Sequence, residues 1–87
     1  MAEEVMVNKR VLVRYFASLR EKSGMESEEI VTNAMTVGEL YGEVVRRHQF
    51  TVSSQTMRFA IDDQMVTSTA PLLDGAEVTF LPPFAGG

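Results

Sequence analysis

The first clearly patterned stretch is Val11-Leu12-Val13-Arg14-Tyr15-Phe16-Ala17, rich in β-branched and aromatic residues, and it predicts a β-strand. Strand parity puts Val11, Val13 and Tyr15 on one face and Leu12, Arg14 and Phe16 on the other. Ala17 to Lys22 follows as one helical turn closed by Ser23-Gly24, and Glu28-Glu29-Ile30-Val31 predicts a second strand pairing back on the first. The period then changes. Val37, Leu40, Tyr41, Val44 and Val45 fall near helical spacing. Thr36 and Glu39 stand at capping-box separation before that run, and Arg46, Arg47 and His48 fill its last turn, where cations complement the helix dipole. From Met57 the alternation returns. Met57–Ile61 predicts a strand, Asp62-Asp63 a turn and Met65-Val66-Thr67 a short return strand. Asp74-Gly75 marks another turn, Glu77–Leu81 a final strand, and Pro82-Pro83 ends it, because proline cannot donate to a ladder.

The expected order is two strands, one main helix, then short strands, so a single helix covers one face of a mixed sheet. That is an α+β chain with a β-grasp outline. Residues 1–9 are weakly patterned and read as a flexible extension, 10–83 as the domain, and 84–87 as a flexible C-terminal tail. A chain of 87 residues buries only about 60–65% of its unfolded surface, which leaves little material for a deep internal active site.

Charge and composition narrow the function classes. Twelve acids against eight bases give a net charge of −4, which argues against nucleic acid, where phosphate neutralisation supplies most non-specific affinity. The absence of cysteine removes disulfides, thiolate catalysis and zinc-thiolate sites. No apolar run approaches the ~20 residues of a membrane span. Glu3 and Glu4 near the N-terminus are unlike a secretory signal, so the expected location is cytoplasmic. His48 has no second histidine at ligand spacing, so no metal is expected there. Arg46-Arg47-His48 reads as a solvated helix end, and Glu26, Glu28 and Glu29 read as an exposed strand edge. The scattered methionines read as core filler.

The chain's last residues, Phe84-Ala85-Gly86-Gly87, carry the candidate chemistry. Terminal glycines are poor packing material, and a mobile end is the plain interpretation. The same slenderness lets a tail thread a narrow channel and present the Gly87 carboxylate to another protein. A carboxylate becomes reactive once its oxygen is made a good leaving group, as in an acyl-adenylate. The chain has no P-loop and no nucleophile–base pair for those steps, so partners must supply them.

Four segments are similar to one known family. Phe16-Ala17-Ser18-Leu19-Arg20-Glu21 matches its F-A-x-x-R-E pattern. Ala60-Ile61-Asp62-Asp63-Gln64-Met65-Val66 resembles A-[VI]-N-x-x-x-V, with Asp62 where asparagine is usual. Pro71-Leu72-Leu73-Asp74-Gly75-Ala76-Glu77-Val78 resembles P-L-x-D-G-D-E-V, with Ala76 replacing an aspartate, and Pro82-Pro83-Phe84-Ala85-Gly86-Gly87 resembles P-P-[VI]-x-G-G, with Phe84 at the third position. The departures at Asp62 and Ala76 fall at expected turns. The family is the molybdopterin synthase small subunit, within a wider group that includes the thiamine-pathway sulfur carrier. The resemblance spans residues 11–87 and implies a ubiquitin-like β-grasp with no bound cofactor and no independent active site.

It further implies a sequence of partners. An adenylyltransferase related to ubiquitin-activating enzymes uses ATP to adenylate Gly87, and a sulfurtransferase step leaves a thiocarboxylate, a 1-thioglycine at that residue. The tail, with Gly86, Ala85 and Phe84 threading, then enters the synthase large subunit, and sulfur passes to the precursor pterin of the molybdenum cofactor. A two-by-two assembly with the large subunit is what the family suggests. Positions matching Phe16, Met65 and Leu81 form an apolar partner-facing patch in the family, although Phe16 and Met65 read equally well as core residues. Other readings stay open: a carrier for thiamine, cysteine or transfer-RNA thiolation, a modifier joined to lysines through Gly87, and a noncovalent β-grasp binding module.

Overall fold

The computed structural model describes residues 8–83. Most of the expected extension, residues 1–7, and the whole tail, Phe84, Ala85, Gly86 and Gly87, lie outside the described residues. The elements are β1 (Lys9–Tyr15), α1 (Ala17–Ser23), β2 (Ser27–Thr32), α2 (Val37–His48), β3 (Arg58–Ile61), β4 (Gln64–Val66) and β5 (Glu77–Leu81). They build the α+β arrangement that the patterning predicts.

Five strands form one sheet in the order β2-β1-β5-β3-β4. β1 and β5 run parallel at its centre, and the other pairs are antiparallel. β1 begins at Lys9, two residues before the expected Val11, because Lys9 and Arg10 pair with Thr32 and Val31. The Lys9 ammonium also donates to the Ala34 carbonyl at 2.8 Å, which fixes that end of the strand.

Parity then decides what is buried. Val11, Val13 and Tyr15 of β1, Ile30 of β2, Phe59 of β3 and Val78 and Phe80 of β5 turn to one face, where Leu40, Tyr41 and Val44 of α2 cover them. The Tyr41 ring meets Phe80 edge-on at 5.1 Å and Phe59 at 6.0 Å. Each such fully buried side chain contributes about 1.5–3 kcal/mol of transfer free energy.

Local chemistry sets the element ends. Thr36 Oγ1 accepts from the Glu39 N–H at 3.2 Å, while the Glu39 carboxylate accepts from the Met35 N–H at 2.8 Å, one residue ahead of the cap. Asp62 and Asp63 both have positive φ, 51° and 70°, the backbone of a two-residue hairpin turn. Asp62 also stitches that turn to β5: its N–H donates to the Glu77 carbonyl, and its Oδ1 accepts from the Glu77 N–H at 3.0 Å. Asparagine Oδ1 can accept the same bond, so aspartate is physically suited to this position. Ala76, expected at a turn, is instead buried in the core beside β5. The turn itself lies just before it, at Gly75 with φ 85°, held by Asp74 Oδ1 accepting from the Arg10 N–H at 2.8 Å.

Candidate functional site

β5 is the element that leads to the chain's last residues, and it occupies the middle of the sheet, between β1 and β3. Val78 and Phe80 are fully buried beneath α2, so Glu77, Thr79 and Leu81 turn to the face that no helix covers. Pro82 interrupts the ladder directly after Leu81. A chain leaving here emerges beside the rim of that open face.

The three patch residues share this face. Leu81 is half-buried and stands opposite Arg58 of β3. Met65 of β4 stands opposite Ala60, which stands opposite Thr79, so one row crosses three strands on the open side. Phe16 follows Tyr15 in extended backbone, with φ −126° and ψ 155°, and caps α1. The Arg14 guanidinium lies 5.8 Å from its ring centroid, which keeps the ring on the open side. Phe16 is 41% exposed and Met65 57% exposed, so neither is a core residue. Leu12 is also exposed on this face and adds to its apolar area.

Charges are interleaved with these apolar groups. Arg14 pairs with Glu77 at 2.9 Å and Arg10 approaches Glu29 at 4.0 Å, both in exposed settings of small individual stabilising value. The open face thus interleaves exposed apolar side chains with paired charges.

The opposite side holds a second cluster, which sequence reasoning missed. Glu28 was expected on an exposed edge and His48 at a solvated helix end, yet their side chains are only 12% and 14% exposed. Consecutive strand residues cannot share a face, so Glu28 turns with Ile30 and Thr32 toward α2 while Glu29 turns away. That alternation was the available signal. Glu28 meets His48 Nε2 at 2.8 Å, the Tyr15 hydroxyl at 2.7 Å and the Arg47 guanidinium at 2.9 Å. Burial alone would raise the Glu28 pKa, but the hydrogen bonds from His48, Tyr15 and Arg47 outweigh it and hold the carboxyl below its usual range. Burial, then the bond to Glu28, push the Tyr15 phenol up. The cluster ties the end of α2 to the edge strand.

A groove of about 440 Å³ opens between α2 and residues 50–54, with Tyr41, Val45, Phe50 and Val52 among its walls. Its walls also include Gly42, Arg46, Thr51, Ser53 and Ser54, without an acid–base pair. Among the described residues, no three His, Asp or Glu side chains are grouped as metal ligands, and no helix is long and apolar enough to cross a membrane.

The ThiS family matches residues 13–87. The molybdopterin synthase sulfur carrier subunit of Escherichia coli K12 is 31% identical over 85 residues, covering 88% of this chain and 99% of that protein. In Helicobacter pylori, the solved complex of subunits 1 and 2 of the molybdopterin-converting factor contains a chain with a TM-score of 0.59 and 25% identity. The match covers 90% of this chain and 99% of that one. The small archaeal modifier protein 1 of Methanosarcina acetivorans has a TM-score of 0.76 at 18% identity, over 93% and 99% of the two chains. At that identity the likeness is one of fold, and it places the architecture among ubiquitin-like β-grasp proteins.

Proposed function

The chain belongs to the ThiS family, and from that premise we propose that it is the sulfur carrier of a molybdopterin synthase, with Gly87 as the loaded residue. It donates sulfur as the small subunit of that complex and has no independent active site. The single observation that supports this reading best is the position of β5. The strand carries the chain out at the sheet centre, beside an uncovered face that displays Phe16, Met65 and Leu81. A partner can grip that face while the residues beyond Pro83 reach its active site. The two-subunit Helicobacter complex supports a large-subunit partner of the same kind.

The chemistry takes place in partners. The Gly87 carboxylate attacks the α-phosphorus of ATP in the adenylyltransferase, pyrophosphate leaves, and the mixed anhydride makes AMP a good leaving group. Sulfide-level sulfur delivered by the sulfurtransferase step attacks the acyl carbon, AMP leaves, and the thiocarboxylate remains. Its sulfur passes to the precursor pterin in the large subunit as the C–S bond at Gly87 breaks, and water supplies the oxygen that restores the carboxylate. This chain provides recognition and reach; lacking cysteine, it offers no thiol to compete for the activated carbonyl.

Intact mass after incubation with ATP, the adenylyltransferase and a sulfur donor tests the proposal. Sulfur replacing oxygen adds nearly the mass of one methionine oxidation, and Met25, Met35 and Met65 are exposed. The diagnostic result is therefore a gain that requires ATP and vanishes when Gly87 is deleted. Lysine-linked conjugates in place of that gain would make the chain a modifier. Full partner binding without Gly87 and without any gain would make it a noncovalent module.

A further inference from the structure

Building on the sulfur-carrier reading, we propose that Arg58 is a charged anchor of the docking face, pairing with a carboxylate that the partner places beside the entrance to its tail channel. The three arginines of the open side differ in their surroundings. Arg14 is held by Glu77 at 2.9 Å, and Arg10 stands 4.0 Å from Glu29. Among the described residues, no carboxylate lies within ion-pair distance of Arg58, which is exposed on β3. In a chain of net charge −4, this face carries a cation without a counterion among the described residues.

Its position makes that cation unavoidable for a docked partner. Arg58 and Leu81 are directly opposite across β3 and β5, and such pairs have Cβ atoms about 4.5–5.5 Å apart. Any surface that covers Leu81 also covers the Arg58 stem. A guanidinium dehydrated against apolar atoms alone is strongly disfavoured, so a fitting partner must supply an acceptor. A carboxylate suits it best, because its two oxygens match the planar N–H fork. The remaining chain from Leu81 to Gly87 reaches at most about 20 Å, which keeps this contact close to the channel mouth.

The test is association of the full chain with the molybdopterin synthase large subunit, measured as on- and off-rates at several salt concentrations. Arg58→Glu should slow association about tenfold or more at low salt, with the gap narrowing as salt is added. Arg58→Lys should keep the on-rate and raise the off-rate several-fold, since an ammonium cannot form the two-pronged bond. Arg46→Glu is the control: Arg46 is exposed at the end of α2, also without an ion pair among the described residues, and its reversal changes net charge equally. It should leave the rates within about twofold. Equal slowing by Arg46→Glu, or wild-type rates for Arg58→Glu, would overturn the proposal. If reversal lowers the unfolding midpoint, the neutral Arg58→Gln carries the comparison. Loss of the ATP-dependent mass gain in the wild-type chain is the separate signature of a failed carrier reading.

Discussion

Glu28 gathers three donors onto one carboxylate, and this decides how the fold responds to acid. Its pKa in the folded chain lies below its ordinary value of 4.5. A depressed carboxylate contributes stability that is present above the ordinary glutamate range and lost as pH falls through the folded value. Urea midpoints should therefore fall more steeply below about pH 4.5 in the wild-type chain than in Glu28→Gln. At neutral pH the same substitution should cost about 1–3 kcal/mol, because Tyr15 and His48 are left with a weaker acceptor in a half-buried site. Parallel acid profiles for the two proteins would remove Glu28 from this role. The residue's placement was readable in part. Ile30 is an evident core residue, and Glu28 shares its strand face, but three acids close together disguised that parity as a solvated edge. The partners could not be read, since Tyr15, Arg47 and His48 come together only when α2 crosses the sheet.

α2 shows which element boundaries a sequence can carry. Its start was legible because Thr36 and Glu39 perform the capping chemistry locally, and Thr36→Ala should lower stability by about 1 kcal/mol in thermal or urea unfolding. Its end was not. Gln49 closes the helix in the left-handed region, at φ 58°, with its N–H bonded to the Val45 carbonyl, and no glycine announces the stop. The chain must turn there so that Phe50 can stack on His48 at 5.3 Å and reach the core. Tertiary packing thus overrides a local preference. Gln49→Gly should relieve the strain and raise stability by about 0.5–1 kcal/mol; a loss would mean that the unfolded chain's added freedom outweighs it. Gly38 has the opposite constraint. A Cβ there would meet the Ser68 carbonyl oxygen at 3.0 Å, so the first turn of α2 depends on close contact with a loop thirty residues later.

At the scale of the whole molecule, the sheet order assembles the site. Strand existence and facing were legible from alternation, but nothing local shows that β5 inserts beside β1 in parallel, because that pairing joins segments more than sixty residues apart. The insertion places Leu81 at the rim of the open face and gives β5 two unlike sides. One side holds up the core through Val78 and Phe80; the other meets solvent through Thr79 and Leu81. The two duties should therefore separate by mutation. Val78→Asp puts a charge into a fully buried site and should abolish cooperative unfolding, since an unpaired buried carboxylate costs several kcal/mol in a domain this small. Leu81→Asp and Met65→Asp should leave the unfolding transition cooperative, with only a small loss at half-buried Leu81. Each should still weaken large-subunit binding about tenfold or more, as expected for an apolar contact near the centre of an interface. The same variants, mixed with the adenylyltransferase, would show whether both partners grip one face. A variant that loses the large subunit but loads sulfur normally would divide that face between them. Joint loss would mean that loading and delivery compete for one surface, so the chain must leave the first enzyme before it can serve the second.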